Sequence, residues 1–250
     1  MQKIQHFSFR DPLKFMDWML LKEQKILSEE LQELYEQVPA TCCASSGECC
    51  ELTESEMVEG YATMFPLYRA EYVNIVSYVR KHFSEVKQQK LLSHTEERPQ
   101  KCPFLDAEKR CTIYPVRPLI CRTYAVMNMQ TIDDAVTRYK GKVPDQWLRN
   151  FARREGGMVC PRVVVTQSEK LARHVENLVT SAYERVLSRL SRKTDILETS
   201  ERKELVRRLI GSSLPERWSW GGFNAVTFAP MGWVKRNLRK YWKKSELKIM

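Results

Sequence analysis

The residues able to do chemistry in this chain are its eight cysteines, and their spacing is not that of random scatter. Cys42, Cys43, Cys49 and Cys50 fall within nine positions, Cys102, Cys111 and Cys121 follow at steps of 9 and 10, and Cys160 stands apart. Thiolate is a soft ligand, suited to zinc and to iron–sulfur clusters rather than to magnesium or calcium. Structural zinc sites use close pairs such as C-x2-C, and no such pair is present. Adjacent cysteines usually point apart, so Cys49 and Cys50 more readily serve different metals, or one metal and a second role. Cys102 and Cys160 each precede proline, a context shared with cluster ligands of bacterial-type ferredoxins. Two readings compete with metal binding. Buried free thiols act as small hydrophobes, but these thiols lie in polar, turn-rich segments. Disulfides belong to oxidising compartments, whereas the start MQKIQHFSFRDPLK has no apolar leader core, so a reducing cytoplasm is the expected compartment.

The segment Lys101–Tyr124, KCPFLDAEKRCTIYPVRPLICRTY, organises the rest. It is too polar and too broken by proline to be a core helix, and reads as a loop whose shape is fixed by what its thiols hold. Arg117 and Arg122 flank Cys121. They either brace loop carbonyls and offset thiolate charge, or grip a carboxylate or phosphate of a substrate. Tyr114 and Tyr124 either donate hydrogen bonds near the centre or pack. Of the histidines, His6, His82 and His174 sit away from the motifs, and only His94 is kept as a marginal ligand.

These residues carry a resemblance. Cys43, Gly47-x-Cys49-Cys50, Leu52-Thr53 and Glu56 resemble the first motif of the YkgJ-type CxxCxxCC family of zinc- or iron-chelating proteins. Cys102-Pro103-Phe104-Leu105, Cys111-x-Ile113-Tyr114 and Arg117-Pro118-x-x-Cys121-Arg122-x-Tyr124 are similar to its second motif, and Cys160-Pro161 to a later Cys-Pro. The similarity spans roughly residues 40–165. It implies a metal held by some of Cys43, Cys49, Cys50, Cys102, Cys111, Cys121 and Cys160, either as an iron–sulfur cluster, [4Fe–4S] in the first instance, or as zinc. Where the family has a further cysteine before the glycine, this chain has Ser46, and the extra Cys42 precedes the motif. The resemblance extends to flagellin lysine N-methylases, which are larger, and so implies a modifying role; no glycine-rich strand–turn–helix signature accompanies it.

The elements that position these thiols read as helices, so the fold class expected is mainly α, with little or no sheet. Apolar steps of three and four from Phe15, Trp18 and Met19 through Ile26, Leu27, Leu31, Leu34 and Tyr35 predict a helix over Asp11–Val38, stopped by Pro39. Thr53-x-x-Glu56 has capping-box form. It predicts helix from Met57 to Met64 and from Leu67 to Phe83, with Tyr61, Tyr68, Tyr72, Val76 and Val79 inward, while Lys87–Gln100 reads as a connector. Helix starts follow at Thr131 and Pro144, an extended piece at Val163–Val165, one helix from Thr166 to about Ser191, and a short one over Glu201–Ile210.

The chain of 250 residues reads as a helical domain over residues 1–215 and a Trp-rich basic segment over 216–250. The net charge of +10 is concentrated near the C-terminus, where Lys235, Arg236, Arg239, Lys240, Lys243, Lys244 and Lys248 face only Glu246. Such a face is either a solvated helix surface or a docking element for a protein partner, with a membrane surface or nucleic acid as less favoured partners. No run of apolar residues is long enough for a membrane span. Three functions therefore stay open: a cluster-bearing enzyme or accessory factor that modifies a protein or small molecule, a zinc-held binding module, and a metal storage or delivery protein.

Overall fold

The first helix, α1, runs Pro12–Tyr35 and buries Leu27, Leu31, Leu34 and Tyr35, so the three- and four-residue spacing does face the core. Ile26, expected on that stripe, is 37% exposed, because one residue before Leu27 is a 100° turn away from the buried line. The computed structural model describes residues 12–43, 47–59, 61–92, 99–194, 217, 218 and 220, the side chains of 12–23, 59, 217 and 218 excepted. The expectations for Phe15, Trp18, Met19, Ser46, His6, His94, Glu201–Ile210 and the basic tail beyond Trp220 lie outside the described residues.

The capping box closes as expected. Glu56 Oε2 accepts from the Thr53 backbone N–H at 2.7 Å, and Thr53 Oγ1 from that of Glu56 at 3.2 Å. The resulting helix α2, Glu54–Glu59, is shorter than predicted. Residues 61–66 are not helical, and Tyr61 is 48% exposed rather than inward. Pro66, which supplies no N–H and disfavours helix in the residue before it, stands at the expected break between the two pieces. The chain resumes as strand β2, Leu67–Tyr68, and helix α3, Arg69–His82. The supposed connector contains helix α4, Glu85–Leu92; Gln88 Nε2 bonds the Arg80 and Phe83 carbonyls, stabilising the junction with α3.

Four further helices follow the central loops: α5 Leu119–Thr123, α6 Met129–Tyr139, α7 Asp145–Gly156 and α8 Leu171–Val179, then α9 Ala182–Lys193. The helix predicted as one piece from Thr166 is thus two. Thr180 spends its hydroxyl on the Glu176 carbonyl at 2.7 Å and Ser181 adopts a left-handed backbone (φ 55°), which turns the chain between α8 and α9. Thr166 caps nothing; its backbone N–H and its hydroxyl donate to Ala40 O.

Strand content among the described residues is two antiparallel two-stranded ribbons. Strand β1, Thr41–Cys43, pairs with β3, Val163–Val165, in the register Cys43↔Val163; β2 pairs with β4, Arg217–Trp218. The fold is mainly α. Helix α3 lies between α1 and α9, and Leu31, Ile75, Val79, Leu187 and Leu190 have no exposed surface. Trp220 stacks on Tyr72 with centroids 4.9 Å apart, meets Phe104 edge-on at 4.8 Å and donates from Nε1 to Leu91 O at 2.9 Å. An indole with its N–H satisfied adds packing energy without a polar penalty. No described helix is long and apolar enough to cross a membrane.

His174 is wholly buried on α8, sharing a 2.9 Å hydrogen bond between Nδ1 and the Tyr183 hydroxyl, while its Nε2 has no partner. Burial, then the nearby Arg154 charge, lowers its pKa to about 4 from the ordinary 6.5. The neutral imidazole is the form the fold favours, so its contribution is intact above pH 6.5 and is lost as pH falls toward 4. At about 1.4 kcal/mol per pKa unit the loss is about 3 kcal/mol. Urea unfolding at a series of pH values checks this, and His174→Gln is expected to flatten the decline in that window.

Candidate metal centre

Four segments carry the thiols, and backbone pairing brings the first two together. Gly47 turns the chain with φ 80° into a single 3-10 turn, Glu48–Cys50, which places Cys49 and Cys50 side by side. Beyond it the strand-like stretch 50–52 zips to 100–102: Cys102 N donates to Cys50 O at 2.8 Å, Leu52 N to Gln100 O at 2.8 Å, and Lys101 pairs with Glu51 at 3.2 Å. A small hairpin follows. Asp106 Oδ1 accepts from Arg110 N at 2.7 Å to close its turn, and Thr112 N donates to Phe104 O at 2.9 Å, so Cys111 stands opposite Leu105, three residues on from Cys102. Pro118 then opens α5, whose third residue is Cys121.

Gly47 is required for two reasons. Its positive φ disfavours any residue with a Cβ, and an added Cβ would lie 2.6 Å from Lys109 O and 2.7 Å from Leu105 Cδ1. Gly47→Ala is expected to separate the two motifs at a cost of about 2 kcal/mol. Thermal unfolding together with metal retention is the measurement; unchanged values in both would show that the loops do not depend on this contact.

Five thiols form one neighbourhood. Cys50 is hydrogen-bonded to Cys102 and Cys49, and Cys111 and Cys121 lie within electrostatic reach of them. Cys102 is buried with its Sγ 3.7 Å from Met64 Sδ, and Cys50, Cys111 and Cys121 pack against the core from half-buried positions. The hydrogen bond to Cys102 is the main cause that pushes the Cys50 thiol up to about 12. The bond to Cys50 raises Cys49, and burial raises Cys111 and Cys121, with neighbouring thiols adding to each. Left to protons alone, these groups stay neutral; a cation is what makes several adjacent thiolates tolerable. No disulfide joins any of the eight cysteines.

Cys43 and Cys160 form a second, outer group. The β1–β3 ribbon and the turn from Cys160 O to Val163 N place both thiols near Arg162, which is itself paired with Glu48 at 2.6 Å. Tyr124 joins the two groups, its hydroxyl raised by burial and then by Cys49 and Cys160. Among the described residues no three Cys, His, Asp or Glu side chains form a ready-made ligand set, so binding entails side-chain rearrangement within these groups.

The flanking arginines differ. Arg122 lies over the Tyr35 ring at 4.0 Å and donates to the carbonyls of Arg117 and Pro115, each at 2.8 Å. Arg117 stacks on the exposed Tyr114 ring at 4.1 Å, and its Nε is buried with no hydrogen-bond partner. His82 stacks against Tyr78, away from the thiols.

Sequence reasoning misses Glu71. This carboxylate has no exposed surface and accepts three hydrogen bonds: from Leu119 N at 2.6 Å and Tyr35 OH at 3.1 Å on Oε1, and from Tyr68 N at 3.1 Å on Oε2. It therefore caps α5, the helix of Cys121, while standing on α3. Burial pushes it up to about 7, against the pull of those bonds. A charged residue between Tyr68 and Tyr72 on the inward side of a helix is the one signal that points to it.

The donor set is thiol-only, soft and drawn from separate loops on a helical body, a set whose chemistry suits zinc or iron. Residues 40–140 match the model of the CxxCxxCC family, described as "Putative zinc- or iron-chelating domain". The match includes six of the seven expected ligands and stops short of Cys160. Comparison with curated proteins and with solved structures gives no match.

Proposed function

We propose that the chain is an iron–sulfur protein in which Cys50, Cys102, Cys111 and Cys121 hold a [4Fe–4S] cluster, with Cys49 beside them. The observation that carries this reading is the five-thiol neighbourhood, which supplies the four thiolates a [4Fe–4S] cluster takes. When bound, such a cluster supplies one-electron chemistry whose potential depends on burial and on hydrogen bonds to sulfur. The protein's part is to hold three loop segments at one place and to exclude water on the Cys102 side. Seven thiols in two close groups, none of them in a disulfide, support a reducing, cytoplasmic setting.

Anaerobic purification followed by absorption spectroscopy and metal analysis tests the proposal. Brown protein absorbing near the usual thiolate-to-iron band, with iron and sulfide in cluster stoichiometry, is the expected result. Colourless protein holding stoichiometric zinc would sink the iron reading and leave a zinc-held binding module.

A further inference from the structure

We infer that Arg117 is the outer-sphere donor of the thiolate centre, its guanidinium N–H groups bonding ligand sulfurs once a metal is held. The inference rests on the metal-centre reading above and assigns to one of its residues a role that the family match does not contain. Arg117 Nε is covered and has no hydrogen-bond partner among the described residues, whereas its neighbour in the motif, Arg122, donates from Nε and Nη2 to two carbonyls. An atom that solvent cannot reach is out of reach for a dissolved ligand as well, so its acceptor must be internal. Arg117 lies within electrostatic reach of Cys49, Cys111 and Cys121, and its charge pulls each of these thiols down. Sulfurs made anionic by a metal are the acceptors that appear at this place. The flat face of the guanidinium is held by the Tyr114 ring, which fixes the direction of its N–H edge.

The energetics run the same way. An unpaired buried N–H costs about 1–3 kcal/mol, and the metal-free protein bears that cost at Nε. Four thiolates around a divalent ion carry a net charge of about −2, which a guanidinium offsets with short charge-assisted bonds. Arg117 therefore works against the empty fold and for the loaded one. Arg122 differs: its Nε and Nη2 donate to two loop carbonyls, which makes it a brace of the loop.

The test uses the full chain with Co(II) as the probe, read by its thiolate-to-cobalt charge-transfer absorption, on wild type, Arg117→Met and Arg117→Lys. Methionine keeps the apolar stem that packs on Tyr114 and removes the N–H groups. Arg117→Met is expected to weaken Co(II) binding by about 10–100-fold while the metal-free protein melts at the same temperature or higher. Arg117→Lys, which keeps the charge but not the Nε–H, is expected to recover only part of the affinity. Affinity of Arg117→Met equal to wild type overturns the inference, as does full recovery with lysine, which would leave charge alone as the cause. A fall in metal-free melting that matches the lost affinity also overturns it, by making Arg117 a structural brace. If wild type itself gives no thiolate–cobalt band, the metal-centre reading falls and this inference with it; a wild-type band with an unaffected variant removes this inference only.

Discussion

Cys102→Ser and Cys121→Ser are each expected to abolish stoichiometric metal binding and to lower the melting temperature of the metal-loaded protein by about 10 °C. Serine replaces a soft sulfur with a hydroxyl that stays protonated at neutral pH, so the ligand set loses one member outright. A ligand that binds only the folded state stabilises it by about 4 kcal/mol at a thousand times its dissociation constant, and in a chain of this size one kcal/mol corresponds to about 2–4 °C. The two substitutions differ in the metal-free protein. Cys102 is buried against Met64, so its serine puts a hydroxyl beside a thioether, a poor acceptor, and costs stability even without metal. Cys121 is half-buried on α5, and its serine is expected to leave the metal-free fold nearly intact. Cys42→Ser, exposed on β1 and outside both thiol groups, serves as the control and is expected to retain full metal content. Metal analysis and thermal unfolding, with and without chelator, are the measurements. Retained metal and unchanged melting in both site variants would refute the ligand assignment.

What could be read from the chain alone follows from where the determinants lie. Helices whose signals are local were legible: the α1 stripe ends at Tyr35, just ahead of Pro39, the Thr53–Glu56 box closes, and Pro144 and Gly157 bound α7. Errors arose where a single residue overrides a periodic pattern. Thr180–Ser181 divides the expected helix after β3, and α2 stops at Glu59, short of the expected Met64. Helix α4 looked like a connector because its residues are polar on every side, and its junction depends on Gln88 reaching back to α3. The thiols themselves were legible because cysteine is scarce and its spacing carries chemistry. Their division into an inner group and an outer pair was not, since the outer pair exists only through the ribbon between Cys43 and Val163, 120 residues apart. The difference between Arg117 and Arg122 was equally hidden, because it depends on which carbonyls the folded loop turns toward each guanidinium.

Glu71→Ala is expected to destabilise the protein by about 4 kcal/mol and to weaken metal binding with it. Three donors, Leu119 N, Tyr68 N and Tyr35 OH, lose their acceptor at once. Each buried unsatisfied donor costs about 1–3 kcal/mol, and the sum is reduced by release of a carboxylate that burial itself disfavours. That second contribution has a defined sign. The folded-state pKa of about 7 lies above the ordinary 4.5, so stability from this group is greatest below pH 4.5 and declines as pH rises through 7. The penalty of Glu71→Ala is therefore expected to be larger at pH 5 than at pH 8, the reverse of the usual behaviour of a paired carboxylate. Glu71→Gln keeps one oxygen for Leu119 and Tyr35 but presents an amide N–H to the Tyr68 N–H, so it is expected to recover part of the stability and to lose the pH dependence. Denaturant unfolding at both pH values, on metal-free protein, separates these contributions. A pH-independent penalty equal in the two variants would show that Glu71 acts by packing alone. The link to the metal lies in α5: Leu119 N is the first free N–H of the helix that carries Cys121, so the carboxylate on α3 sets where that thiol stands.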